Sequence, residues 1–296
     1  MTGETSNPER RGLRKGLYLI PSVFTAANIG MGFYAVMAAV RGFQFVGNGA
    51  DADLAQAAFY LDNAAKAIGW AVLFDMLDGR IARMTKTTTE IGVQLDSIAD
   101  VVTFGLAPAV LAYVWGYGAS LEEGSDLHRL AWFLSFMYLM CGAFRLARFN
   151  VQSSRPRILA EGTIKMDKKS FVGLPIPVAG GLIAAIIHYA PVPLVKYGPE
   201  RAEIYSLLLM ALVGVLSFLM VSTLRFSSFK TVGTKSRSMR TIIFAVGIGM
   251  LIFLYSRYVL LAIIIIYIFH GLLSRVFGMF RRRSELSDAK AEARLQ

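Results

Sequence analysis

Apolar runs of membrane-spanning length alternate with polar, mostly basic connections along this chain. The first run covers residues 17–40 and gives way to a short Gly-rich loop, 41–54. Further runs cover about 55–84, 91–117 and 128–149, with an acidic loop at 118–127. Runs at 171–190 and 204–221 follow a basic connection, and a second basic loop, 222–240, precedes the long apolar stretch 241–273. A helix needs about 20 apolar residues to cross a bilayer, and a helix satisfies its own backbone there. The pattern predicts an all-α polytopic membrane protein. Ser256-Arg257-Tyr258 interrupts the last stretch, and an arginine facing lipid at mid-span is costly. That stretch therefore reads as a hairpin of two short helices turning at Arg257, which brings the total to about eight transmembrane helices.

Arg10, Arg11, Arg14 and Lys15 precede the first run as they would precede a signal peptide. The run is longer than a signal core and no A-x-A site follows, so it reads as an uncleaved helix that starts near Pro21. The chain divides into a cytoplasmic segment 1–16, a transmembrane catalytic domain 17–275 and a charged tail 276–296. The net charge of +11 sits unevenly among the 31 lysines and arginines. Only Arg41, Lys66, Arg129, Lys196, Arg201 and Arg257 fall on one side of the eight-span scheme. The positive-inside rule then makes both termini cytoplasmic, in a multi-pass protein of the cell (inner) membrane. A basic surface against anionic lipid accounts for the charge, with no nucleic acid as partner. The single cysteine, Cys141, excludes a disulfide framework, and His128, His188 and His270 show no metal-ligand spacing.

Chemistry concentrates in one stretch. Asp75, Asp78, Gly79, Ala82 and Arg83 fall on one face of a helix, and Gly92, Asp96 and Asp100 on one face of the next. Thr87-x-x-Glu90 between them fits a capping box that opens the second helix. The pair of helices can aim four carboxylates at one point, and four aspartates cannot share a small space as anions without positive charge among them. An all-oxygen set favours hard divalent cations, Mg²⁺, Mn²⁺ or Ca²⁺, over Zn²⁺. Two such ions suit displacement at phosphorus. Gly79 lets a ligand approach the backbone, and Arg83 carries a planar fork for a phosphate. Carboxylates neutralised in ion pairs, or serving a cation or proton pathway in a transporter, are the competing readings. Neither accounts for Gly79 and Arg83 beside the acids.

The complete pattern, Asp-x2-Asp-Gly-x2-Ala-Arg-x8-Gly-x3-Asp-x3-Asp, resembles the signature of the CDP-alcohol phosphatidyltransferase family at every fixed position. That resemblance implies CDP-diacylglycerol as donor, two divalent cations (Mg²⁺ or Mn²⁺) on Asp75, Asp78, Asp96 and Asp100, and Asp100 as general base. It implies a nucleotide site at Gly79, Ala82 and Arg83, with Thr25 and Asn28 of the first helix nearby. Four looser segments are similar to the serine-using branch of the family: Ile20-Pro-Ser-Val-Phe-Thr-Ala-Ala-Asn28, Phe144-Arg-Leu-Ala-Arg-Phe-Asn150, Phe171-Val-Gly-Leu-Pro-Ile-Pro177 and Met220-Val-Ser-Thr-Leu-Arg225. L-serine is then the expected acceptor, CMP the leaving group, and glycerol 3-phosphate or an inositol phosphate the alternative acceptors. Arg145, Arg148 and Asn150 stand where they can meet the lipid phosphate or the serine carboxylate, or else anchor a helix at the lipid headgroups. The family also implies a homodimer among membrane lipids.

Overall fold

A computed structural model describes residues 8–46, 53–85, 90–154, 170–223, 225–227, 251 and 254–271, with side chains over 23–46, 53–81, 91–151, 173–223, 251 and 254–271. Its helices are α1 (Pro8–Gln44), α2 (Leu54–Thr85), α3 (Glu90–Asp100), α4 (Ala107–Ala112), α5 (Asp126–Ser154), α6 (Ile176–Tyr189), α7 (Pro199–Val221) and α8 (Leu254–Gly271). Wide π-helical turns at Val101–Leu106 and Tyr113–Tyr117 make α3 and α4 one continuous rod. Two three-residue strands, β1 (Ser170–Val172) and β2 (Arg225–Ser227), pair antiparallel. Five helices among the described residues are long and apolar enough to cross a membrane. The protein is all-α and polytopic, as the hydropathy pattern predicts.

Three expectations change. The first helix begins at Pro8 and runs through Pro21, which the sequence marked as its start. Pro8 suits a first helical position, and inside a span a lost hydrogen bond at Pro21 costs less than leaving the helix. The turn expected at Arg257 is absent, because α8 is unbroken from Leu254 to Gly271 and Arg257 sits, exposed, in its first turn. The arginine therefore lies near the end of a span, where it does not force a break. The strand pair was not expected: Phe171 and Val172 of β1 open the apolar run 171–190, which read as a span, and β2 lies in a stretch read as loop. Residues 241–250 and Thr87 of the expected capping box lie outside the described residues, as does the tail 276–296.

α1 packs along α2, the most extensive pairing among the described helices. Small residues make this possible: Ala35, Ala38, Ala39 and Gly42 meet Ala57, Leu61, Ala64 and Ala65 in the core. A methyl on Gly42 would sit 3.2 Å from the Leu61 side chain and 3.3 Å from the Ala57 carbonyl oxygen. Close backbone approach of this kind is how membrane helices gain packing without a hydrophobic drive between them.

The α3–α4 rod shows how one residue shapes a span. Pro108 has no N–H for the carbonyl four residues back, which belongs to Phe104, and its ring crowds that carbonyl. The helix widens into the π-turn just before the proline. Phe104 O takes its hydrogen bond from the Tyr138 hydroxyl of α5 at 3.1 Å, in a fully buried setting. The widened turn begins directly after Asp100.

Candidate active site

Asp75 on α2 and Asp96 and Asp100 on α3 each bring a carboxylate oxygen within 4.8 Å of the other two. Helix periodicity does the placing, since Asp96 and Asp100 are one turn apart and Asp75 faces them from α2. A cation with ligands at about 2.1–2.5 Å spans about 4–5 Å between opposite oxygens, so this cluster fits a hard divalent ion. Asp100 is 9% exposed, and one of its carboxylate oxygens has no hydrogen-bond partner among the described residues. A buried carboxylate left with an open lone pair is a group built to take a ligand or a proton.

Asp78 is placed differently. One turn beyond Asp75, it is buried and accepts a hydrogen bond from the Thr25 hydroxyl of α1. Its oxygens lie outside the close triad, although its charge acts on Asp96 and Asp100. Asn28, one turn from Thr25, is 1% exposed, and neither amide atom of its side chain has a partner among the described residues. Its backbone carbonyl accepts from Thr103 Oγ1 at 3.0 Å, which ties α1 to the π-turn after Asp100. Gly79 is exposed on α2, and the side chains of Ala82 and Arg83 lie outside the described ones.

The three basic or amide candidates of α5 differ in the contacts they make. Arg145 is 7% exposed, its Nε lacks a partner, and its charge faces Asp100. Arg148 donates from Nη1 to the Val221 carbonyl at 3.1 Å, closing the C-terminal end of α7. Asn150 donates from Nδ2 to Ser97 Oγ at 2.8 Å, and Ser97 donates to the Val93 carbonyl at 3.0 Å. Ser97 was not singled out in the sequence, and adjacency to Asp96 is the one signal that could have marked it. Gly173 completes the wall. Its φ of 81° suits glycine, and a side chain there would strike the Met220 carbonyl, while Leu174 N bonds Leu219 O at 3.0 Å. The segments 144–150, 171–177 and 220–225 thus meet at the end of the bundle that holds the aspartates.

The model of the CDP-alcohol phosphatidyltransferase family matches residues 18–197 of this chain. A Helicobacter pylori protein, CDP-diacylglycerol--serine O-phosphatidyltransferase, is 32% identical over 216 residues, 73% of this chain and 75% of that protein. The protein of that name from Saccharomyces cerevisiae is 30% identical over 184 residues, 62% of this chain and 58% of its own. The archaetidylserine synthase of Methanothermobacter thermautotrophicus is 36% identical over 117 residues, 39% of this chain and 42% of its own. With more than half of its length matched and its acidic cluster assembled across α2 and α3, this chain belongs to the CDP-alcohol phosphatidyltransferase family.

Proposed function

We propose that this protein transfers the phosphatidyl group of CDP-diacylglycerol to the hydroxyl of L-serine, giving phosphatidylserine and CMP. The observation that carries the reading is the Asp75–Asp96–Asp100 triad facing Arg145, in a chain whose curated relatives carry serine as acceptor in their names. Serine Oγ attacks the phosphorus that bears the diacylglycerol, and the bond from that phosphorus to the oxygen of CMP breaks. The serine proton passes to Asp100, whose unpartnered oxygen is available to take it. A carboxylate is a weak base for an alcohol, so the proton leaves late, as the new bond to phosphorus forms.

Two divalent cations, Mg²⁺ or Mn²⁺, held by Asp75, Asp96 and Asp100 would supply positive charge against the diphosphate. Asp78, next along the same face of α2, would complete the acidic set around them. Gly79, Thr25 and Asn28 would lie on the nucleotide side, where the open amide of Asn28 can meet a polar ligand, and the motif residues Ala82 and Arg83 would serve the same nucleotide. Arg145 supplies the cation that a zwitterionic acceptor needs for its carboxylate. The site faces the cytoplasmic side of the cell membrane, where both termini lie.

Purified protein given labelled CDP-diacylglycerol should release CMP and form phosphatidylserine with serine, with glycerol 3-phosphate and inositol phosphate inert. Stripping by chelator should stop turnover, and Mg²⁺ or Mn²⁺ should restore it. Phosphatidylglycerophosphate as the product, with serine unreactive, would overturn the acceptor and leave the chemistry standing.

A further inference from the structure

Asp62, His188 and Ser256 form a buried polar relay well away from the motif. His188 Nδ1 lies 2.5 Å from Asp62 Oδ1, and His188 Nε2 lies 2.9 Å from Ser256 Oγ. Lys66 Nζ sits 2.7 Å from the other oxygen of Asp62. The lysine keeps Asp62 an acceptor, so Nδ1 donates to it, and Nε2 makes the second bond, to the serine hydroxyl. Tyr189 and Tyr258 pack edge to face at 5.5 Å beside the relay. These contacts fix α8, only 11% of which is buried, to α6 and α2.

The register set by the relay determines what α8 delivers further along. Ser256, Val259, Leu260, Leu261, Ile264, Tyr267, Ile268 and Gly271 are the half-buried or buried residues of α8, and their helical spacing makes this its bundle-facing side. Ile264 lies against Gly181, eight residues on from Ser256 and seven back from His188. α8 and α6 are therefore antiparallel neighbours. Tyr267 lies about 16 Å from Ser256 at about 1.5 Å per residue, close to the start of α6. There Ile176 packs onto Gly142 of α5, one turn before Arg145. Tyr267 and Arg145 are near enough for their charges to interact.

We infer that α8, which lies beyond the matched family region, forms the acceptor-side wall of the site, and that Tyr267 is a specificity-determining residue there, held at that depth by the Asp62–His188–Ser256 relay. Its phenol can donate to a carboxylate gripped by Arg145, which distinguishes an amino-acid alcohol from a plain one. The inference rests on serine as acceptor.

The test measures KM for serine and for CDP-diacylglycerol separately, in full-length protein with metal. Tyr267→Phe keeps the ring and removes only the hydroxyl. It should raise the serine KM about tenfold, the loss of one hydrogen bond to a charged group, and leave the donor KM within about twofold. Ser256→Ala should raise the serine KM in the same direction and by less. Unchanged serine KM in Tyr267→Phe, or equal rises in both KM values, would overturn the inference. A parent protein that ignores serine would instead sink the acceptor reading itself, so the two failures are distinguishable.

Discussion

Arg145 and Arg148 sit one turn apart on α5, and the sequence offers no reason to treat them differently. Their surroundings do. Arg145 is buried with an unpartnered Nε facing Asp100, whereas Arg148 spends a guanidinium N–H on the last carbonyl of α7. Arg145→Ala should therefore raise the serine KM at least tenfold while extractable protein remains folded. Arg148→Ala should cost stability, about 1–2 kcal/mol for a charge-assisted bond at a helix end, read as a lower melting temperature in detergent. Equal effects of the two changes on serine KM would contradict this division. Among the acids, Asp75→Asn, Asp96→Asn and Asp100→Asn should each lower turnover by about 100- to 1000-fold or more, on the scale of losing one charge-stabilising contact in other enzymes. Asp78→Asn gives a sharper check of the geometry. If its main partner is Thr25, Thr25→Val and Asp78→Asn should be non-additive in the double variant.

At the scale of elements, the motif helices were legible because chemistry and periodicity coincide: Asp96 and Asp100, one turn apart on α3, form a cluster with Asp75 of α2. The π-turn was legible only as a kink at Pro108, since which carbonyl is released and what satisfies it depend on Tyr138, thirty-four residues away. The relay was not legible at all. Asp62 and His188 are 126 residues apart, and neither carries a local pattern that announces the other. The β1–β2 pair escaped for the same reason, because two three-residue strands, one at the start of an apolar run and one in a basic loop, have no period to read. Tyr138→Phe isolates one such long-range contact. It strands the Phe104 carbonyl in an apolar setting, where Gly180 already brings its backbone close, and should cost about 1–3 kcal/mol of stability. Wild-type melting behaviour in that variant would mean the widened turn satisfies its carbonyl without α5.

For the molecule as a whole, the ends of the bundle at which its segments lie bear on the side of the membrane each occupies. β2 ends beside β1 and the Gly173–Met220 contact, at the end of the bundle that carries the aspartates. α8 begins at the other end, with Ser256 against His188 at the far end of α6. In the sequence, residues 241–253 ahead of α8 are apolar. We predict from this an eighth crossing, which would put the arginines that follow α8 on the side of the N-terminus. That arrangement keeps Arg281, Arg282 and Arg283 with the other basic connections, whereas an odd number of crossings would export them against the positive-inside rule. Single cysteines placed at Thr88, Asp126 and Ser284 in a Cys141→Ala background test this in intact cells. A membrane-impermeant thiol reagent should label Asp126→Cys, which sits fully exposed at the start of α5. Thr88→Cys and Ser284→Cys should react only after the cells are opened. Labelling of Ser284→Cys from outside, with Thr88→Cys protected, would show an odd number of crossings and place the tail opposite the catalytic end.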